Sequence, residues 1–235
     1  MRPRESRTQR GVLMRITCIS ASNVEPARDS SASTRACEMI RDIIIAERGS
    51  DMELEIVPLI DYEMGSCRMC GACLAAGKCV RDDAFNEIHA HFSNSDAVFL
   101  VCPHYAPLPS KVMILLEKMQ EIWYLNWCRN SDYRAPYYRH PIGLVAHGGQ
   151  TAEALPYYRQ TLLIPLANAF ASVQMKVAGA GEEWTTGAAF AIQSLVPSAD
   201  SIFVTITHDW DDVRKRLLPL VRNVLSLVES ACPDC

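Results

Sequence analysis

Cys67, Cys70, Cys73 and Cys79 fall within thirteen residues at the spacing C-x2-C-x2-C-x5-C. Iron–sulfur clusters are held by cysteine thiolates in runs of this kind. Three thiols at steps of three can wrap one side of a cubane, and a fourth slightly further on can close it. A cluster there would make the chain an electron carrier. Two other occupants stay open at this point. Zinc also takes four thiolates, although its structural sites pair two C-x2-C knuckles across a longer loop. Disulfides would require an oxidising compartment. Gly65, Gly71 and Gly77 punctuate the segment, and Arg68, Lys78 and Arg81 place positive charge beside what would be an anionic site. Val80 follows Cys79, where double-cluster ferredoxins have a proline after a shorter gap, so one self-contained site is expected.

Three further segments have the composition of ligand loops. Ser20-Ala-Ser22-Asn23 through Ser31-Ala-Ser33-Thr34 is rich in hydroxyls and leads into a helix, where hydroxyls, amides and the helix dipole suit a phosphate. It is neither a Walker loop nor G-x-G-x-x-G. Pro103-His104-Tyr105-Ala106 offers planar side chains. His147-Gly148-Gly149-Gln150 offers bare backbone that can approach a flat ring. Together they describe a site for a phosphate at one end and a planar heterocycle at the other.

The elements that must position these segments follow from hydrophobic periodicity. Strands are expected at Arg15–Ser20, Met52–Leu59, Asp96–Cys102, Pro141–Ala146 and Val173–Ala178. Helices are expected at Thr34–Glu47, Asp82–Phe92, from Ser110 through Ile122, Ala152–Phe170 and Trp210–Ser230. Asp82 and Asp83 suit the positive end of their helix. A second β-like run covers Ser201–Ile206, and Asn126–Arg139 reads as a polar, aromatic-rich excursion. Strand–helix alternation implies right-handed crossovers around a parallel sheet, a doubly wound α/β fold with ligands beyond the carboxyl ends of its strands. The expected organisation is a flexible arm over 1–13 and one domain over 14–235, with a cysteine-bearing insertion at 66–83 after the second strand.

The bulk composition narrows the partners. A net charge of −4 argues against nucleic acid, and no apolar run reaches membrane-spanning length. Ten cysteines without an export signal predict a reducing cytoplasm.

The Ser-rich loop, the compact cysteine run with Asp82-Asp83 beyond it, the strand ending Pro103-His-Tyr, the helix containing Lys111 and the Gly148-Gly149 loop are similar to the flavodoxin-like NADPH-dependent FMN reductase superfamily. Within it, the chain most resembles the iron-sulfur flavoproteins, over about residues 15–178. The resemblance implies a five-stranded flavodoxin-like sheet. It assigns FMN phosphate to Ser20, Ser22, Ser31, Ser33 and Thr34, with Arg28 offering a basic contact. The isoalloxazine falls to Pro103, His104, Tyr105 and Ala106, with His147, Gly148 and Gly149 opposite. A 4Fe–4S cluster falls to Cys67, Cys70, Cys73 and Cys79. It further implies a homodimer or homotetramer, electrons drawn from a ferredoxin or NAD(P)H, and no side chain acting as nucleophile or general base. The alternatives are an NAD(P)H-dependent FMN or quinone reductase without a functional cluster, and a non-enzymatic thiol or zinc redox-sensing module.

Other residues have plainer expectations. Cys18 and Cys102 read as small buried hydrophobes, His89 and His91 as the polar face of their helix, and Cys232/Cys235 as part of a tail. His104 could protonate flavin or substrate. Trp123, Tyr124, Trp127, Tyr133, Tyr137 and Tyr138 are expected to form an aromatic contact surface.

Overall fold

A computed structural model describes residues 14–24, 29–49, 52–196 and 205–231. The arm over 1–13, Arg28 and the Cys232/Cys235 pair lie outside the described residues.

The most apolar segments form the central strands. β1 (Met14–Ser20), β2 (Met52–Pro58), β3 (Ala97–Pro103) and β4 (Pro141–His147) pair in parallel in the order β2-β1-β3-β4, followed by the short β5 (Lys176–Ala178). β3 is buried along its whole length, as a strand covered on both faces must be. Its alternate residues serve two cores. Val98, Leu100 and Cys102 face α3 (Asp83–Asn94), α4 (Ser110–Arg129) and the helical stretch that ends at Ser172. Ala97, Phe99 and Val101 face α1 (Ala32–Arg48) and the last helix (Trp210–Ala231). The doubly wound expectation is borne out. β1 pairs with both β2 and β3, so the chain reverses its direction of travel across the sheet there, and the ligand crevice of such a sheet lies at that point.

The fifth strand differs from expectation. β5 is confined to Lys176–Ala178 and pairs with the first half of β4. After an excursion over 179–187, β6 (Ala188–Phe190) pairs with the second half. Residues 173–175 are excluded from the strand because their amides close the preceding helix: Val173 donates to Ala169, Gln174 to Ala171 and Met175 to Phe170. Gln174 also sits at φ +75°, where a strand cannot continue. A separate antiparallel ribbon, β7 (Ser194–Val196) with β8 (Thr205–Thr207), covers part of the second β-like run.

Two smaller departures concern helices. The expected helix from Ala152 is a composite: a 3-10 turn at Ala152–Ala154, α5 (Leu155–Tyr158), a π-helical turn at Arg159–Leu163 and α6 (Ile164–Ser172). α4 runs on to Arg129 before the aromatic excursion begins. The remaining helices are the single turn α2 (Cys73–Ala76) and the terminal α7 (Trp210–Ala231). Among the described residues no helix is long and apolar enough to cross a membrane.

The split strand depends on one glycine. Gly187 has φ +140°, and a Cβ there would sit 2.2 Å from the Leu144 carbonyl oxygen of β4. Gly187→Ala is therefore expected to lower the free energy of unfolding by about 2 kcal/mol or more through backbone strain and overpacking, read as a reduced urea midpoint at unchanged slope.

Candidate functional site

All four long strands end on one edge of the sheet, and the register aligns their last residues: Ser20 opposite Pro58, Ser20 opposite Val101, and Pro103 opposite His147. The three candidate ligand loops and the cysteine segment leave from this edge.

The hydroxyl loop is a connected set. Ser31 caps α1, its Oγ accepting from Thr34 N at 3.2 Å. The Thr34 hydroxyl bonds Ser20 Oγ and Ser31 Oγ, both at 3.0 Å. Ser22 Oγ accepts from Val24 N. The first N–H groups of α1, at Ala32 and Ser33, have no acceptor within their own helix. Ser33 is placed differently from the other hydroxyls. Its side chain is fully buried and its Oγ lies 2.8 Å from His147 Nε2, so the hydroxyl faces inward.

His147 is also turned inward. Its ring stacks on Phe190 of β6 (4.7 Å, 7°) inside the protein rather than lining the crevice. Burial, with a smaller contribution from nearby His208, pushes its pKa down to about 3. The neutral ring ties the hydroxyl loop to the Gly-Gly loop through Ser33. The next loop is stitched on by His104, whose N–H donates to the His147 carbonyl at 2.8 Å.

Gly148 is required because a Cβ would lie 2.5 Å from the Tyr158 hydroxyl. That hydroxyl accepts from Gln150 N, holding the loop flat against α5. Gly149 faces open space, which suits a flat ligand. His104 leans on Tyr157 (ring centroids 5.2 Å apart), with Nε2 3.2 Å from the Tyr157 hydroxyl. Tyr105 donates its N–H to the Pro107 carbonyl, and Ala106 is exposed at φ +54°. The sequence reading missed Tyr157 and Tyr158. Only their place on α5 beneath the two loops reveals them.

The cysteine segment is a loop closed at its neck. Asp82 caps α3, with one carboxylate oxygen accepting from Phe85 N and the other from Gly65 N, at 2.9 and 3.0 Å. Lys118 of α4 donates to the same carboxylate, and both side chains are buried. Burial alone would raise the Asp82 pKa, but the hydrogen bond from Lys118 and the two amides outweigh it and hold the carboxyl below its usual value. Glu117 accepts from Cys67 N at 3.0 Å, and Asn86 brackets Cys79 by accepting from its N–H and donating to its carbonyl. Lys111 reaches the Ile60 carbonyl and Glu63 from the start of the same helix. α4 thus begins at the Pro103–Pro109 loop and supports the cysteine segment along its length. The sequence did carry a signal for Lys118: it is a cation on the apolar stripe between Leu115 and Ile122.

The four thiols line one cavity of about 400 Å3, against about 30 Å3 for a water molecule. Among the described residues no three His, Cys, Asp or Glu side chains converge on a single-ion site. A cubane needs no such convergence, since each thiolate takes a different iron. Cys70 is exposed, and hydrogen bonds from the Ala72 amide and the Arg81 side chain draw its pKa down. Burial pushes Cys73 up. The donor set and the space fit a multinuclear cluster.

Residues outside the site sort differently. Cys18 and Cys102 are buried and burial pushes both thiols up, as expected of core residues. His89 is not on a polar face: it is buried between Phe85 and Tyr137, its Nε2 has no partner, and burial takes its pKa down to about 4. His91 is half-buried, 3.2 Å from Glu55. Tyr137 belongs to the core, whereas Tyr124, Trp127 and Tyr138 remain exposed.

No family model matches the chain. The architecture is that of a flavodoxin-like protein. Solved structures align over nearly its whole length: RosB with bound 8-demethyl-8-formylriboflavin-5'-phosphate (14% identity, TM-score 0.59, covering 94% of this chain and 81% of RosB) and a flavodoxin variant of Fusobacterium nucleatum bound to flavin mononucleotide (12%, 0.51, 91% and 96%). The NAD(P)H:quinone oxidoreductase of Methanothermobacter marburgensis aligns similarly (13%, 0.51, 93% and 98%). A curated "Iron-sulfur flavoprotein" of Archaeoglobus fulgidus is 29% identical over 85 residues, 36% of this chain and 39% of that protein. The match thus spans well under half of that relative, and agrees with the resemblance drawn from the motifs.

The two buried histidines give a pH signature. Their folded pKa values lie below the ~6.5 of an unfolded histidine, so they contribute stability above that pH. As pH falls below it the unfolded chain takes up protons the native chain refuses, until the folded values near 4 and 3 are reached. The urea midpoint is expected to fall steadily from pH 6.5 to 4. His89→Leu, which also removes the unpartnered Nε2, is expected to flatten part of that fall.

Proposed function

We propose that this protein is an FMN-dependent oxidoreductase that couples the flavin to a 4Fe–4S cluster held by Cys67, Cys70, Cys73 and Cys79. The observation that carries the reading is the meeting, on one sheet edge, of the three ligand loops with a cavity lined by four thiols. The flavin-binding neighbours of the same fold and the iron-sulfur relative support it.

When bound, the flavin exchanges electrons in pairs or singly and the cluster exchanges them singly, so the two together interconvert the two currencies. The chain's own residues bind and orient. The amides of Ala32 and Ser33 and the Ser20–Thr34–Ser31 hydroxyls hold the phosphate. Gly148 and Gly149, pressed flat by Tyr158, and the Pro103–Ala106 loop hold the ring. Asp82, Glu117 and Asn86 fix the cysteine segment by its backbone. Arg68, Lys78 and Arg81 make the stretch 66–81 basic, with no acidic residue in it, although the whole chain carries −4. That rim suits an acidic electron-donor protein of the ferredoxin class, and NAD(P)H is the other donor the reading allows. The exposed Tyr124, Trp127 and Tyr138 suit contact between copies in a homodimer or homotetramer.

The visible spectrum after anaerobic reconstitution with iron and sulfide tests the reading. Flavin bands with a broad brown shoulder are expected. Cys70→Ser should remove the shoulder and leave the flavin. Flavin bands with no iron uptake would leave a simple flavin reductase, and zinc without colour a thiol sensor. The phosphate site has its own test. FMN is expected to bind at least about tenfold more tightly than riboflavin, because charge-assisted hydrogen bonds contribute about 1.5–3 kcal/mol each. Thr34→Val should narrow that gap in a flavin-fluorescence titration.

A further inference from the structure

Lys118 is more than the partner of Asp82. Its ammonium carries three donors, it is 4% exposed, and among the described residues its one hydrogen bond goes to Asp82. Asp82 is itself already served by the amides of Gly65 and Phe85. The Phe85 ring lies 5.4 Å from the ammonium and offers it no lone pair. Both Lys118 and Asp82 line the cavity of the four cysteines. The other charged groups on that wall are Glu63, Arg68, Arg81, Asp83 and Glu121, and none of these is buried. Solvent screens them, whereas a buried cation acts on its surroundings at low dielectric.

We infer that Lys118 donates its remaining protons to the anionic group held by Cys67, Cys70, Cys73 and Cys79, and so governs how firmly that group is retained and how readily it accepts an electron. The inference rests on the cluster reading above. Four thiolates make a cluster site anionic, and one-electron reduction adds a further negative charge with no bond made or broken. A buried ammonium therefore favours the reduced form and raises the reduction potential. Asp82 is the positioning residue that fixes the ammonium on the cavity wall, and Lys118 acts on the cluster directly through its charge and hydrogen bonds.

A purely structural ion pair would be replaced without consequence by a neutral pair of similar size, which makes the two roles separable. Asp82→Asn retains a side-chain oxygen to cap α3. The double variant Asp82→Asn/Lys118→Met differs from it only by the ammonium. Both are reconstituted anaerobically with iron and sulfide, checked for fold by circular dichroism, and read for iron content, midpoint potential and release of iron to a chelator. The double variant is expected to show a lower potential and, for the loss of one charge-assisted hydrogen bond, release on the order of tenfold faster. Equal potentials and equal release rates overturn the inference and leave the cluster reading standing. Wild-type protein that takes up no iron overturns the cluster reading, and the inference with it. Lys118→Gln, read in the same way, serves if the double variant does not fold.

Discussion

The parallel pairing of β1 with both β2 and β3 is the constraint from which the site follows. Right-handed crossovers send α1 to one face of the sheet and α3 and α4 to the other. The loops after β1, β3 and β4, and the segment after β2, then share one edge. The interior of the sheet is too apolar to hold a polar ligand. The edge offers polar loop backbone and a helix N-terminus, and there the hydroxyl loop, the Gly-Gly loop and the cysteines collect.

At that edge the polar groups are spent largely on holding loops to one another. Ser33 and His147 tie the first loop to the third, and the His104 amide ties the second to the third. Asp82 closes the neck of the cysteine loop and Lys118 pins it to α4. The Ser33–His147 and Lys118–Asp82 ties are buried, so they are strong when made and costly when broken. Loops held in this way can present backbone amides, open space and thiols to ligands without collapsing onto the core.

Much of this was legible beforehand, for identifiable reasons. β3 and β4 are continuous apolar runs that only a doubly covered strand explains. α1 and α7 carry stripes at helical spacing, and the cysteine spacing stands on its own as a ligand pattern. The split fifth strand was not legible, because Val173 and Met175 have strand-like side chains while their amides belong to the end of α6. Neither were the inward turns of Ser33, His147 and His89. Ser and His suit a ligand loop or a polar face equally well, and nothing local says which way the side chain points.

The sequence by itself therefore determined the order of elements, the parallel sheet, the candidate ligand loops and the four thiols, because periodicity, apolar runs and cysteine spacing are local properties of the chain. Tertiary structure alone decided which polar residues face ligand space and which are tied into the walls, since that depends on partners far away in sequence. Ser33 meets His147 across 114 residues and Lys118 meets Asp82 across 36. Whether a serine hydroxyl or a lysine ammonium points inward is settled by the buried acceptor that the fold brings to it.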